Sequence, residues 1–551
     1  MKTLSNVESL VRKITDRIIQ LQEATPSDTS YLELSYIFEQ IDKLDKAKYV
    51  LQEGIQEHPN SIALHRALWS LYTKQKQQQE KIKYIPRVLK SWIQKRPIKF
   101  FDRLQGLLLQ TRQYELSLSI TQLQLRKFPQ QIDLLYDATQ KSLNLGYYKE
   151  AISYLETIKE LVNDTDEIIR LNMKIGMVYI LSGDFEEGEK QFTYCREEYN
   201  DLLPEIYKDG YEKLVIFNNG ESSIEYYKNI CSTKRVVATF DSIDKTNKAK
   251  PFAFSILKKK SVDLISLRRR TVDNYHQDLS REEYYQTIEK LVLFYEKRFA
   301  YGTSLGGYCS LYFGSTIPEC KILSLAPRNS AHPNYGSKIR GNSEFTHSLS
   351  HPVNTEVEPI ICYDPKERID QHYITEEIQK SYPNATFKYF YYAGHRVPLY
   401  LQQVGVLKDI VSRFLAEEPI PNYSPKLHSK SAEYHRILAL ACKRDLKLRW
   451  SLDLVNKSVE LAPTYDRSLA LRIEVLLSLK QFDTCIEYAK EAIKIHPNLA
   501  RFYILLADAY ISKDELYMAI DILESARKKT KSKKIVKKLK SLKKQTEYQN
   551  A

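Results

Sequence analysis

The sequence predicts an α/β block held between two all-helical arrays, and three observations predict it. Half of the 16 glycines (302, 306, 307, 314, 336, 341, 394 and 405) fall between about residues 230 and 418, and the flanks are glycine-poor. Within that middle stretch, β-branched and aromatic runs alternate with segments that are apolar at helical spacing. In the C-terminal flank the prolines and the helix starts recur at a fixed interval. The expected parts are a helical array over 1–225, an α/β domain over 226–418, a second array over 425–530, and a basic tail over 527–551.

Taken in order, the N-terminal flank carries three stretches that read as second halves of helical hairpins. They are Leu44 to Pro59, Tyr114 to Pro129, and Gly146 to Ala151, with a further one from Gly183 to Gly188. The prolines at 59, 97 and 129 are unevenly spaced, so the register wanders. The α/β block then opens on the strand RVVATFDS (235–242). VDLISLR (262–268) follows, and REEYYQTIEKLVLFYEKR (281–298) reads as an amphipathic helix. After these come KILSLAP (321–327), EPIICYD (358–364), the helix ITEEIQKSY (374–382) and TFKYFYY (386–392). Near-continuous apolar strands separated by helices imply a parallel sheet of about six strands, covered on both faces.

In the C-terminal flank, Pro463 and Pro497 close two helical segments 34 residues apart, and Phe482 and Leu516 open helices at the same interval. A helix–turn–helix unit of that period resembles the tetratricopeptide repeat. The N-terminal flank resembles it more loosely. Such hairpins stack because none can bury its apolar face alone. The resemblance implies a protein partner on the repeats.

Composition bounds the function. Hydrophobic residues make up 43% and charged residues 28% of 551 positions, which describes a folded chain with ample core. No apolar run reaches the length of a transmembrane helix, and the N-terminal stretch MKTLSNVESLVRKITDRIIQ does not read as a signal peptide. Seven cysteines without a C-x-x-C pair suggest free thiols in a reducing compartment, with the cytoplasm as the expected location. The net charge of +14 is mostly a tail effect, since 527–544 holds eleven Lys and Arg and no acid. Ile535, Val536, Leu539 and Leu542 would share one face of a tail helix. That face suits either a capping helix or a weak contact with an anionic membrane. Nucleic-acid binding is not expected, because no aromatic interleaves the lysines.

The chemistry is carried by Gly302-Thr303-Ser304-Leu305-Gly306-Gly307, placed between an apolar strand and an amphipathic stretch. This is the G-x-S-x-G pattern of a nucleophile elbow. The serine must stand at the tip of a turn too tight for neighbouring side chains, hence the glycines at 302, 306 and 307. The following helix aims free N–H groups at the place where charge develops on an attacked carbonyl oxygen.

With a candidate serine, acid and histidine in that chain order, the block resembles the α/β-hydrolase fold. The resemblance implies Ser304 as nucleophile and His395, in Ala393-Gly394-His395-Arg396, as base. The acid would be Asp370 or Asp364, with Asp370 slightly favoured because it lies just before a helix. An oxyanion hole would use the N–H of Leu305 and one from Asp241 or Ser242. No HGGG follows the 235–242 strand, so the sequence departs from the lipase pattern there. The block also looks like hydrolase-like domains of bacterial surface-polysaccharide assembly and accessory secretion systems. That would imply ester hydrolysis or acyl transfer on an acylated glycan or glycoprotein, with no cofactor and no metal. A non-catalytic repeat scaffold is the alternative. His332, His347, His351 and His372 read as loop residues, and Cys309 as core-facing. The polar loop 328–358 offers Arg328, Asn329, Lys338 and Arg340 to an anionic or sugar substrate.

Overall fold

A computed structural model describes residues 27–40, 43–59, 61–75, 108, 112–231, 233–243, 250–271, 275–336, 345–349 and 356–549. It falls into two compact units, Met1–Leu161 and Val162–Ala551. Pro97, His351, Lys338 and Arg340 lie outside the described residues.

The first unit is built of helices, among them Asp28–Gln40, Leu44–Glu57, Ile62–Lys74, Tyr114–Lys127, Ile132–Asn144 and Tyr148–Leu161. Small side chains let the helices of a hairpin cross closely. A Cβ on Gly54 would stand 2.6 Å from Tyr31 Cγ, and Ala47, Ala138 and Ala151 are buried.

The second unit opens with the hairpin Thr165–Ser182 and Phe185–Glu198, started by Asp164 and Asp184 side chains that accept the N–H of Glu167 and Glu187. Eight strands follow: β1 Tyr211–Asn218, β2 Ser222–Asn229, β3 Arg235–Phe240, β4 Asp263–Arg269, β5 Lys297–Thr303, β6 Lys321–Leu325, β7 Ile360–Tyr363 and β8 Thr386–Tyr389. Their order across the sheet is β1-β2-β4-β3-β5-β6-β7-β8. β2 pairs antiparallel with both β1 and β4, and every other pairing is parallel.

Two expectations are corrected here. The sheet is mixed and eight-stranded, not a parallel sheet of about six strands. Strand structure also begins at Tyr211, inside the stretch assigned to helices up to residue 225. The cause is a turn signal, Asn218-Asn219-Gly220. Asn218 Oδ1 accepts the N–H of Gly220, Asn219 Oδ1 accepts those of Glu221 and Ser222, and Gly220 takes φ +85°.

Strand order reverses between β3 and β5, since the chain moves from β3 outward to β4 and then returns to β5. Crevices outside the carboxyl ends of strands at such a point are where open α/β sheets place ligands. An apolar core of the sheet domain includes Val237, Phe299, Leu323 and Cys362 from the strands and Leu401, Ile410 and Phe414 from the helices Val397–Gln403 and Leu407–Ala416.

The C-terminal array keeps a strict register. Helices begin at Leu448, Phe482 and Leu516, and left-handed turn residues stand at Leu446, Lys480 and Asp514, each series stepping by 34 residues. The tail folds as helix Lys533–Gln549. Ile535, Leu539 and Leu542 are buried in the array's core, and only Val536 of the four apolar residues is exposed. Lys538 pairs with Asp508 and Lys543 with Glu524. The membrane reading of the tail is corrected accordingly, because the face that would enter a bilayer already caps the repeats. Among the described residues, no helix is long and apolar enough to cross a membrane.

Candidate functional site

β5 runs straight into the helix Leu305–Tyr312, and Ser304 is the hinge between them, at φ +54° and ψ −117°. A non-glycine residue held there costs on the order of 1–3 kcal/mol and persists only when its surroundings impose it. Here three backbone bonds impose it. The Ser304 N–H donates to Leu325 O at 2.9 Å, and its carbonyl accepts from Tyr308 N and Arg328 N at 2.9 and 3.1 Å.

Each elbow glycine is enforced by backbone. A Cβ on Gly302 would meet Gly306 O at 1.9 Å, one on Gly306 would meet Phe240 O at 2.3 Å, and one on Gly307 would meet Leu325 O at 2.9 Å. The turn therefore sits between the ends of β3 and β6, with no room for a side chain at 302, 306 or 307.

Ser304 Oγ lies 2.8 Å from His395 Nε2, and His395 Nδ1 lies 2.8 Å from Asp370 Oδ2. Residues 91 and 25 positions apart thus form one hydrogen-bonded chain. His395 keeps some exposure, whereas the Asp370 carboxylate is buried. Its second oxygen, Oδ1, has Arg328 Nη1 at 3.3 Å, an ion pair that is not aligned as a hydrogen bond.

Asp364, the other candidate acid, does not reach the imidazole. Its Oδ2 accepts the N–H of Gly394 at 2.8 Å and its Oδ1 that of Lys366 at 2.8 Å, so it braces the loop on which His395 sits. Burial pushes its carboxyl above the usual carboxylate range, and burial does the same to Glu367.

Of the oxyanion candidates, the Asp241 N–H is already committed to Leu267 O at 3.1 Å, so the sequence reading of that amide is corrected. The Asp241 carboxylate accepts Arg268 Nε at 2.9 Å. The amides of Leu305 and Ser242 have no acceptor among the described residues. Buried Arg269 donates to the carbonyls of Ser242 and Ile243 at 3.3 and 2.7 Å, which fixes the segment next to the elbow. No sequence pattern marks this role, since an arginine at a strand end reads as surface charge.

The histidines divide. His332 and His347 lie in loop segments, as the sequence reading has them, and both are buried. His332 Nε2 meets Glu377 at 2.9 Å while its Nδ1 accepts the Asn334 and Tyr335 N–H groups. His347 Nε2 bonds Leu279 O at 2.7 Å, and burial pushes its pKa down to about 4. Both anchor parts of the 328–358 loop onto the sheet domain, whereas His372, read from sequence as a loop residue, lies exposed in the helix Arg368–Tyr373, which corrects that reading. Asn329 is buried and its Oδ1 accepts the Ala331 N–H. Cys309 is buried and its thiol is pushed well up by desolvation, so it is a core side chain.

No family model and no curated protein matches the chain. Similar solved structures include the Naa15/Naa10 complex bound to HypK-THB, at 12% identity over 95% of this chain and 68% of that one, with a TM-score of 0.35. YrrB, described as a tetratricopeptide-repeat protein with an unusual peptide-binding site, matches at 14% identity over 35% of this chain and 96% of that one, TM-score 0.22. Est1E from Butyrivibrio proteoclasticus matches at 12% identity over 37% of this chain and 99% of that one, TM-score 0.27.

Proposed function

We propose that the chain is a serine-dependent acyl-transfer enzyme, an ester hydrolase or acyltransferase, with an α/β-hydrolase-type core and repeat arrays that bind a protein partner. The observation that carries this reading is the contact chain from Asp370 through His395 to a Ser304 held at positive φ. Ser304 Oγ bonds the acyl carbon while its proton passes to His395 Nε2. The bond to the leaving oxygen then breaks, and that oxygen departs with the same proton. The oxygen of water, or of an acceptor hydroxyl, then bonds the acyl carbon as its proton passes to His395 Nε2, the bond to Ser304 Oγ breaks, and His395 returns that proton to Oγ. Asp370 holds the imidazole with Nδ1 protonated and stabilises the imidazolium. The N–H groups of Leu305 and Ser242 are the donors for the tetrahedral oxyanion.

Treating the chain with a fluorophosphonate probe, p-nitrophenyl acetate and an acetylated oligosaccharide tests the reading. Labelling confined to Ser304 and loss of ester cleavage in Ser304→Ala are expected. Equal labelling of the wild type and the variant would remove the catalytic claim.

A second reading is a scaffold whose repeats do the work. It is favoured by Leu446, 82% exposed, in the turn before helix Leu448–Leu461, and by Trp450, Tyr517 and Met518, 63%, 73% and 45% exposed, near the starts of helices Leu448–Leu461 and Leu516–Thr530 of the C-terminal array. Under that reading, changing these four residues to Ser abolishes partner binding, while Ser304→Ala leaves it intact.

A further inference from the structure

The loop that carries His395 is braced from two sides. Inside the sheet domain, Asp364 holds the Gly394 N–H. On the other side stands the first helix of the C-terminal array, Ala432–Arg444. Gly394 takes φ +61°, and a Cβ there would lie 2.7 Å from Ile437 Cδ1 and 3.9 Å from Glu433 Oε1. The backbone next to the histidine is thus in van der Waals contact with a repeat helix.

That helix is itself fixed to the sheet domain. Gln403 Oε1, at the end of the helix following His395, accepts from Ser431 Oγ at 2.7 Å and from Glu433 N at 2.9 Å. Tyr400 OH meets His428 Nδ1 at 2.7 Å, and the Tyr392 and Tyr434 rings pack edge to face at 6.0 Å. Further into the array, buried Glu433 accepts from Arg436 and from Tyr465 OH, the latter at 2.7 Å. A continuous set of contacts therefore runs from the second repeat hairpin to the residue beside His395.

We propose that the C-terminal repeat array is a positioning element of the Ser304–His395 site, with Ile437 as the residue that seats the His395 loop through Gly394. This inference rests on the proposed function and adds that site alignment depends on the array. A partner that shifts Ala432–Arg444 shifts the imidazole with it. Because hydrogen-bonded acyl transfer is sensitive to sub-ångström placement, a small displacement is enough to change the rate.

The test uses the full chain with Ile437→Ala, Gly394→Ala, the double variant, and Leu506→Ala as a core truncation elsewhere in the array. Ile437→Ala is expected to lower kcat and the fluorophosphonate labelling rate by roughly tenfold or more, with KM nearly unchanged. Leu506→Ala should lower the melting temperature without that loss of kcat. Placed on Gly394→Ala, the Ile437→Ala change should raise activity instead of lowering it, because it opens space for the added Cβ. Wild-type kcat in Ile437→Ala, or equal losses in Ile437→Ala and Leu506→Ala, would overturn the inference. The downfield Nδ1 proton of His395, assigned by its loss in Asp370→Asn, gives a readout independent of turnover. A shift of that proton in Ile437→Ala, in a chain that neither labels nor cleaves esters, would sink the enzyme reading while supporting the positioning one. No shift together with no activity would sink both.

Discussion

At the scale of single residues, the two aspartates near His395 show how placement divides roles that sequence leaves open. Both lie after β7 and both are buried, yet Asp370 reaches Nδ1 and Asp364 reaches the Gly394 amide. Asp370→Asn should therefore cut kcat by roughly 10⁴-fold with little change in melting temperature. Asp364→Asn should show a smaller kcat loss but a stability loss of about 1–3 kcal/mol, read by chemical denaturation, because one of the two N–H groups then faces an amide NH2 in place of its carboxylate oxygen. The sequence placed Ser304 and His395 by strand ends and left the acid open. Loop length alone does not say which carboxylate turns inward. His347 was illegible for a related reason, since nothing in a polar loop announces that one imidazole packs beneath Tyr312 and donates to a carbonyl. Its folded pKa of about 4 lies below the unfolded value of 6.5. The unfolded chain therefore takes up the proton first. Stability is full above about pH 6.5 and falls as pH drops toward 4, by up to ~3 kcal/mol from this group. His347→Gln should flatten the pH dependence of the melting temperature over that window. An unchanged slope would show that the ring is not held neutral.

At the scale of elements, the elbow was legible because its sterics are written in the residues. A strand, a serine between glycines and a helix leave few other conformations. Gly306→Ala places a methyl 2.3 Å from Phe240 O, a backbone atom that cannot swing aside. The expected result is destabilisation on the order of 1–3 kcal/mol, or failure to fold, with loss of labelling in whatever folds. By contrast, the β1–β2 pair was hidden inside a stretch read as helical. β1 carries Glu212 and Lys213 among apolar residues, a composition that suits either state, and β2 is buried along its whole length, which removes the alternation of a half-exposed strand. The Asn219-Gly220 turn was the signal available. Their mixed pairing adds an antiparallel flank to the parallel strands that position the site, and strand count alone does not reveal it.

At the scale of the whole molecule, the tail shows charge and burial pulling a reading apart. The eleven basic residues left open a capping helix or a weak contact with an anionic membrane, and the three inward apolar side chains belong to the array's core, as a capping helix requires. Ile535→Asp with Leu539→Asp should lower the melting temperature of the C-terminal array and expose apolar surface to a hydrophobic dye. Wild-type chain should not cosediment with anionic vesicles at physiological salt. Strong vesicle binding that vanishes with the double change would instead restore the membrane reading.

The matched turns at Leu446, Lys480 and Asp514 carry one more consequence. Because every seam of the array repeats at the same step, a segment of one full period could be duplicated or lost between the first hairpin and the closing helix with each junction re-forming as before. The reach of the arm is therefore free to change over generations, while the hairpin that touches Gly394 and the helix that seals the far end stay fixed. Under the proposed function, the length of the binding array could change without altering the contact at Gly394.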